Sequence, residues 1–212
     1  MAPQPTPTVL RRYTDLPALL HYLRTGCITL LDPGTWDDRN DSHYLSVYKE
    51  KKRLQAVLAL CFSEASETYH HWSVFSRGPA GVCIIFDRET LFGTLNKFQG
   101  IRRARVKYLS IGRAKARELR TSELPFLKRA AYKPESEYRV IYESETESLA
   151  SLQIQVPVSC IRSVSLSPWL HTNLSETTVA TVRSLPGCEN VKISRSTLIS
   201  NEQWKALAMN AA

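Results

Sequence analysis

The chain has 212 residues, 43% hydrophobic and 23% charged, with a formal net charge of +8 at pH 7. That length suits one large domain better than two small ones, and the apolar share is ordinary for a globular core. No apolar run reaches the roughly 20 residues of a membrane helix, and the Pro- and Thr-rich residues 1–8 lack the features of a secretory signal. Five cysteines (Cys27, Cys61, Cys83, Cys160 and Cys188) are odd in number and lack CxxC spacing. This argues against a disulfide framework or a zinc site, and for a reducing, cytoplasmic setting.

Residues 9–13 read as a short strand carrying Arg11 and Arg12. Thr14-Asp15 signals a helix N-cap, and Leu16, Leu19, Leu20 and Leu23 recur at helical spacing for about three turns. Gly26 stops that helix, and residues 27–31 form a strand. Residues 36–41 are a dense polar loop, and residues 42–52 are helical with Tyr44, Val47 and Tyr48 on one side. The apolar run 54–62 suits a buried strand, residues 69–76 a short helix or turn holding His70, His71 and Trp72. Residues 81–86 (GVCIIF) are the clearest buried strand, and Asp87 caps a helix to about residue 98.

Further on, residues 104–109 alternate as a strand, with Arg105 and Lys107 on one face and Val106 and Tyr108 on the other. Residues 111–129 read as one or two helices, and 133–142 as a turn leading into a strand. Strands at 151–158, 160–166 and 190–193 follow, with a helix from Ser175 to near Gly187, a short terminal helix at 202–208, and a tail from Asn210. Such irregular mixing predicts a single α+β domain over residues 9–200, with a mixed, mostly antiparallel central sheet flanked by helices, preceded by a flexible segment 1–8.

The charge is not evenly spread. Residues 97–139 carry thirteen basic and four acidic side chains, against ten and ten in 1–96 and five and six in 140–212. A local block of this kind reads either as a surface for nucleic acid or another polyanion, with Arg105 and Lys107 as candidate contacts, or as a solvated face. In the strand after Pro134, alternation puts Glu135, Glu137 and Arg139 on one face and Tyr138, Val140 and Tyr142 on the other. Two carboxylates and a guanidinium on one face form either a structural ion network or the lining of a cleft that contacts substrate.

Four pieces of the chain, in order, resemble the bacterial family called domain of unknown function 2971. They are Leu10-Arg11-Arg12-Tyr13; Trp36-Asp37-Asp38-Arg39-Asn40-Asp41; Cys61-Phe62-Ser63-Glu64 with Trp72-Ser73-Val74-Phe75 and Gly81-Val82-Cys83-Ile84-Ile85-Phe86; and Lys133-Pro134-Glu135-Ser136-Glu137-Tyr138-Arg139. The chain departs from the family in its Trp36 loop and in ending the third element's Trp-Ser-x-Tyr pattern with Phe75. A looser similarity is to the ADP-ribosyltransferase fold. That resemblance implies NAD as ADP-ribose donor, with Arg12 gripping the dinucleotide, Ser63 and Trp72 cradling nicotinamide, and Glu137 as the catalytic carboxylate. It implies an enzyme acting on nucleic acid or protein in stress or defence, and it implies that Arg12, Trp72 and Glu137 line one cleft.

No Gly-rich dinucleotide or phosphate loop is present, and no Gly-x-Ser-x-Gly or Cys/His nucleophile signature. Adjacent His70 and His71 point apart on a helix, so no metal site is expected; Asp37, Asp38 and Asp41 lack EF-hand spacing and suit turn capping. The alternative function is a non-catalytic or nuclease-like nucleic-acid-associated module whose Glu/Arg pairs are structural.

Overall fold

Asp15 both ends the first strand and starts the first helix. In the computed structural model, which describes residues 7–76 and 78–209, β1 (Val9–Asp15) runs directly into α1 (Leu16–Thr25), where the Asp15 carboxylate accepts from the Ala18 N–H at 2.8 Å. Gly26, at φ 67°, closes the helix in the left-handed region that a side chain would resist. β2 (Cys27–Leu31) follows, then a 3₁₀ turn (Pro33–Thr35) and α2 (Arg39–Lys51), capped by Asp38. β3 (Ala56–Ser63), α3 (Tyr69–Phe75), β4 (Gly81–Asp87) and α4 (Arg88–Leu95) come next, α3 capped by Thr68 and α4 by Asp87.

The basic segment then departs from the expected pattern. The strand expected at 104–109 is broken into β5 (Ile101–Arg105), which joins the main sheet, and β6 (Lys107–Leu109), which pairs in parallel with β7 (Leu127–Arg129). Val106 still donates its N–H to the Glu137 carbonyl at 2.9 Å, and the ladder ends there. Where helices were expected over 111–129, only α5 (Ile111–Lys115) is α-helical; Thr121–Phe126 is a 3₁₀ turn. Pro125 has no N–H to give a helix, and Leu124, Phe126 and Leu127 are drawn into the core, so the chain extends.

A further 3₁₀ turn (Ala130–Glu135) leads into β8 (Glu137–Ser144), followed by β9 (Ser151–Gln155), β10 (Ile161–Leu166), α6 (Thr172–Arg183), β11 (Ile193–Arg195) and α7 (Glu202–Met209). Most of the expected flexible segment 1–8 and the tail from Asn210 lie outside the described residues.

The main sheet has nine strands along the path β11-β10-β4-β1-β3-β2-β9, with β8 and β5 branching from β3. Every pairing in it is antiparallel except β10 with β11. The chain is thus a single α+β domain with a mixed central sheet flanked by helices. β3 pairs along its whole length with β8, from Ala56↔Ser144 to Ser63↔Glu137. On its other side it meets β2 only at Leu31↔Ala59 and β1 only at Arg11↔Ser63. Between those two points Leu60, Cys61 and Phe62 have no strand partner on that side among the described residues, which leaves a notch in the sheet.

Side-chain alternation along β3 and β8 separates two apolar layers. Leu58, Leu60, Phe62, Tyr138 and Val140 join the larger one with Leu10, Leu19, Leu23, Phe86 and Leu91. Val57, Ala59 and Ile141 join the smaller one, under Leu45 and Tyr48 of α2 and Leu124 and Phe126. Each buried Leu or Phe contributes about 1.5–3 kcal/mol. On the second face, beyond Ala59 and Ile141, the apolar layer gives way to Cys61, Ser63, Glu137 and Arg139.

Candidate functional site

Arg139 is the base on which the polar end of this face is built. Its side chain is 0% exposed, and all five N–H donors are used. Nη1 gives to Asp41 Oδ1 at 2.9 Å and to the Pro125 carbonyl at 2.8 Å; Nη2 gives to Asp41 Oδ2 at 2.6 Å and Glu137 Oε2 at 3.0 Å; Nε gives to Glu137 Oε1 at 2.7 Å. The guanidinium carbon also sits 5.1 Å from the centre of the Trp36 ring. Burial alone would lower the pKa of Arg139, and Glu137, Cys61 and Asp41 reverse this and raise it.

Lys128, from β7, is the second cation. Its Nζ lies 2.7 Å from Glu135 Oε2, 3.3 Å from Glu137 Oε2 and 3.6 Å from Asp41 Oδ2, over the Tyr132 ring. Three carboxylates therefore face two cations. Burial pushes the Glu137 pKa up, but Arg139 and then Lys128 outweigh it and bring the value down to about 2. Glu135 ends with a raised pKa, because its burial outweighs its contact with Lys128. Glu135 is not on the strand as expected. It ends the preceding 3₁₀ turn, and Ser136, at φ 46°, turns the chain so that both carboxylates reach Lys128. A non-glycine residue held there costs about 1–2 kcal/mol, which the surrounding contacts must offset.

Ser63 sits beside this cluster. Its hydroxyl donates to the Glu135 carbonyl at 2.7 Å and lies 3.0 Å from His71 Nε2, while His71 Nδ1 is 2.5 Å from the Thr68 hydroxyl. One assignment of protons satisfies all of these: Thr68 donates to Nδ1, and Nε2–H points at Ser63 and Glu135. Burial lowers the His71 pKa, so the ring is neutral at pH 7. The pair holds the turn into β8 in place; Ser63 gives its only proton to a carbonyl and is not primed as a nucleophile.

Above the cluster opens a cleft of about 630 Å³. It lies at the notch of the sheet, with Arg12 and Tyr13 from β1, Leu31 from β2, Cys61 and Ser63 from β3, and Glu135 and Glu137 on its polar side. Trp36, Phe75 and Tyr132 provide aromatic surface. Arg12 has no hydrogen-bond or ion-pair partner among the described residues, and burial lowers its pKa to about 10, against the opposing influence of Cys61 and Asp15 nearby. A desolvated guanidinium with no carboxylate bonded to it is a ready acceptor for an anion. Its neighbour Arg11 is instead tied to the Ala65 carbonyl at 2.8 Å.

Of the residues singled out in the sequence, the cleft brings together Arg12, Ser63, Glu135 and Glu137. Arg139 lies beneath Glu137 and supports it. Trp72 does not share the cleft: it is 0% exposed, and its indole N–H is spent on Glu67 Oε1 at 2.6 Å. Tyr13 packs edge-on against it and shows its own ring to the cleft instead. Arg105 and Lys107 are also elsewhere. Arg105 pairs with Glu64 at 2.6 Å with its side chain 51% exposed, and Lys107 with Glu123 at 3.3 Å with its side chain 66% exposed.

Asp41 and Lys128 belong to the site and were not singled out for it. Asp41 stood in the acidic loop that reads as turn capping, and Asp38 does cap α2 through the Asn40 and Asp41 N–H groups. Lys128 was hidden in a segment expected to be helical. Among the described residues, no group of three or more His, Cys, Asp or Glu side chains is placed to hold a metal ion. No described helix is long and apolar enough to cross a membrane.

No family model matches the chain and no curated protein matches it, so the expected membership in the domain of unknown function 2971 family is not shown. Solved structures similar in chain path include three of Thermus sp. 2.9 DarT. In complex with NAD+, that protein is 11% identical, with a TM-score of 0.48 over 92% of this chain and 98% of that one. In complex with ADP-ribosylated ssDNA the values are 12%, 0.47, 91% and 95%, and with carba-NAD+ 11%, 0.47, 91% and 97%.

Proposed function

We propose that the chain is an ADP-ribosyltransferase-like enzyme that takes NAD as its ADP-ribose donor and transfers to nucleic acid. The observation that carries this reading is the unpaired Arg12 guanidinium in the same cleft as the acidic Glu137. A dinucleotide needs both ends of such a site. The pyrophosphate needs a cation free to bind it bidentately. Loss of nicotinamide builds positive charge on the ribose, and a fixed carboxylate beside it stabilises that charge as it develops.

The residues fit the donor in three respects. The cleft volume is in the range of small-molecule sites, about 300–1,000 Å³. Trp36, Phe75 and Tyr132 offer flat apolar surface to a nicotinamide ring and keep water from it. The ion cluster carries one carboxylate more than its two cations balance, so its field favours a developing cation. Arg139 and Lys128 hold Glu137 ionised and oriented, so no reorganisation is required when charge appears.

A second reading has its own observation. Both Glu137 oxygens already accept from Arg139, as they would in a nucleic-acid-associated module with purely structural pairs. One comparison separates the two: thermal stabilisation by NAD and release of nicotinamide, with and without nucleic acid, for the wild type and Glu137→Gln. The transferase reading expects NAD to stabilise both proteins and only the wild type to release nicotinamide. A wild type that neither binds nor consumes NAD removes it.

A further inference from the structure

Among the described residues, β5 pairs with β8 and with no other strand. Their ladder is bounded by the Glu143 N–H, which donates to the Gly100 carbonyl, and the Val106 N–H, which donates to the Glu137 carbonyl, both at 2.9 Å. Backbone direction alternates along an antiparallel strand, so Arg102 and Ala104, between those two points, spend their groups on β8. The N–H and C=O groups of Ile101, Arg103 and Arg105 point the other way, and no described residue bonds to them. An open groove of about 480 Å³, lined by Arg102, Arg103 and Ala104, follows this edge. Phe126, from the smaller apolar layer, and Tyr138, from the larger one, line it too, so it reaches round the strand from both faces of the sheet.

The edge is also charged with one sign. From Lys97 to Lys107 the chain has five basic residues and no acidic one. Arg102, Arg105 and Lys107 draw on Glu143, Glu64 and Glu123 from other segments. Arg103 pairs with no carboxylate among the described residues and lies 4.4 Å over the Phe92 ring, and exposed Lys97 pairs with none either.

We infer that this edge is a docking site for a protein partner that adds an acidic, extended segment to β5 as a further strand of the sheet. Unpaired N–H and C=O groups at alternate positions are a template that a polypeptide backbone matches group for group. A second copy of β5 would set arginines against arginines, and like charges directly opposite repel. An acidic strand places its carboxylates across from Arg103 and Arg105, while its other face meets Ala104 and Phe126 and suits Val, Ile or Thr. A nucleic-acid strand could offer phosphates to the arginines, but it has no alternating amide N–H and C=O groups to complete the ladder. The edge lies on the side of β8 away from the notch, and the inference is independent of the donor reading.

Fluorescence anisotropy with a labelled peptide of about seven residues, alternating Glu and Val, tests this. The wild type binds it. The same peptide with N-methyl groups on the residues that face the edge binds about tenfold more weakly or less, because methylation removes strand donors and leaves the charge. Arg103→Glu weakens the unmethylated peptide about tenfold or more, whereas Arg113→Glu, at an exposed cation on α5, leaves it unchanged. Melting temperatures check that both variants fold. In the wild type, peptide slows hydrogen exchange at the amides of Ile101, Arg103 and Arg105. Absent binding, equal binding of the N-methylated peptide, equal losses in the two variants, or unchanged exchange at those amides overturns the inference. So does an oligonucleotide of the same charge that displaces the peptide, binds more tightly than it and loses that binding in Arg103→Glu.

Discussion

Arg139 and Asp41 lie 98 positions apart in the chain and form a two-pronged ion pair closed off from solvent, at 2.9 and 2.6 Å. The pair joins the start of α2 to the middle of β8 under the cleft, and Glu137 is oriented on top of it. Lysine has neither the planar fork nor the number of donors to replace this arginine. Arg139→Lys should therefore lower stability by about 3–5 kcal/mol, because it leaves buried carboxylate oxygens unpaired. Chemical denaturation monitored by circular dichroism measures this; a midpoint within error of the wild type contradicts the network's structural role.

Arg12 predicts the opposite combination. Its guanidinium is desolvated and bonds to nothing in the described chain, so Arg12→Ala removes an unfavourable burial and little else. Stability should change by less than about 1 kcal/mol or rise. Stabilisation by NAD should disappear. A large loss of stability in Arg12→Ala, found by thermal melting, means that the residue is structural.

Trp72 separates core from cleft. Trp72→Phe retains most of the buried ring and loses the indole bond to Glu67, at a cost of about 1–3 kcal/mol. The melting temperature should fall while the NAD-induced shift stays at its wild-type size. Phe75→Ala, at the cleft surface, should do the reverse. A variant of Trp72 with intact stability and lost NAD binding returns the residue to the site.

Acid should weaken the protein in two stages. The His71 pKa is lowered by folding, so the unfolded chain takes up its proton first, and stability begins to fall as the pH drops through the ordinary histidine value of 6.5. The Glu137 pKa is also lowered, to about 2 from 4.5. Ionised Glu137 therefore stabilises the fold at pH above 4.5 by about 3 kcal/mol, and this is lost progressively as the pH falls toward 2. Raised Glu135 acts in the other direction, adding stability as it protonates in acid. Denaturation midpoints from pH 8 to pH 2 test this, and His71→Gln should remove the upper stage alone.

Much of the fold was legible because its signals are local. Asp15, Asp87 and Gly26 announce helix ends through hydrogen bonds made within a few residues, and the runs 54–62 and 81–86 are apolar enough to be strands in any context. The segment 104–129 was misread for the same reason. Its many Lys and Arg residues favour helix locally, but Pro125 and the burial of Leu124, Phe126 and Leu127 are decided by the distant α2 and β3. The candidate site divides likewise. Glu137 and Arg139 declare themselves by their alternation, whereas Asp41 and Lys128 reach the cluster only through long-range packing that no short pattern encodes. Trp72 suggested a cleft wall because an aromatic was needed there, and spacing alone could not tell that its ring points inward.

The notch beside Leu60, Cys61 and Phe62 has a mechanical consequence. A sheet resists separation in proportion to the number of ladder bonds across each seam, and here, among the described residues, the strand ladder between β3 and its neighbours on that side is fastened only at Ala59 and Ser63. Glu137 sits in the three-strand unit β5-β8-β3 on one side of that seam and Arg12 in β1 on the other, while Leu60, Phe62 and Val140 share one apolar core with Leu10 and Phe86 across it. Binding a ligand that touches Glu137 and Arg12 would clamp two panels together.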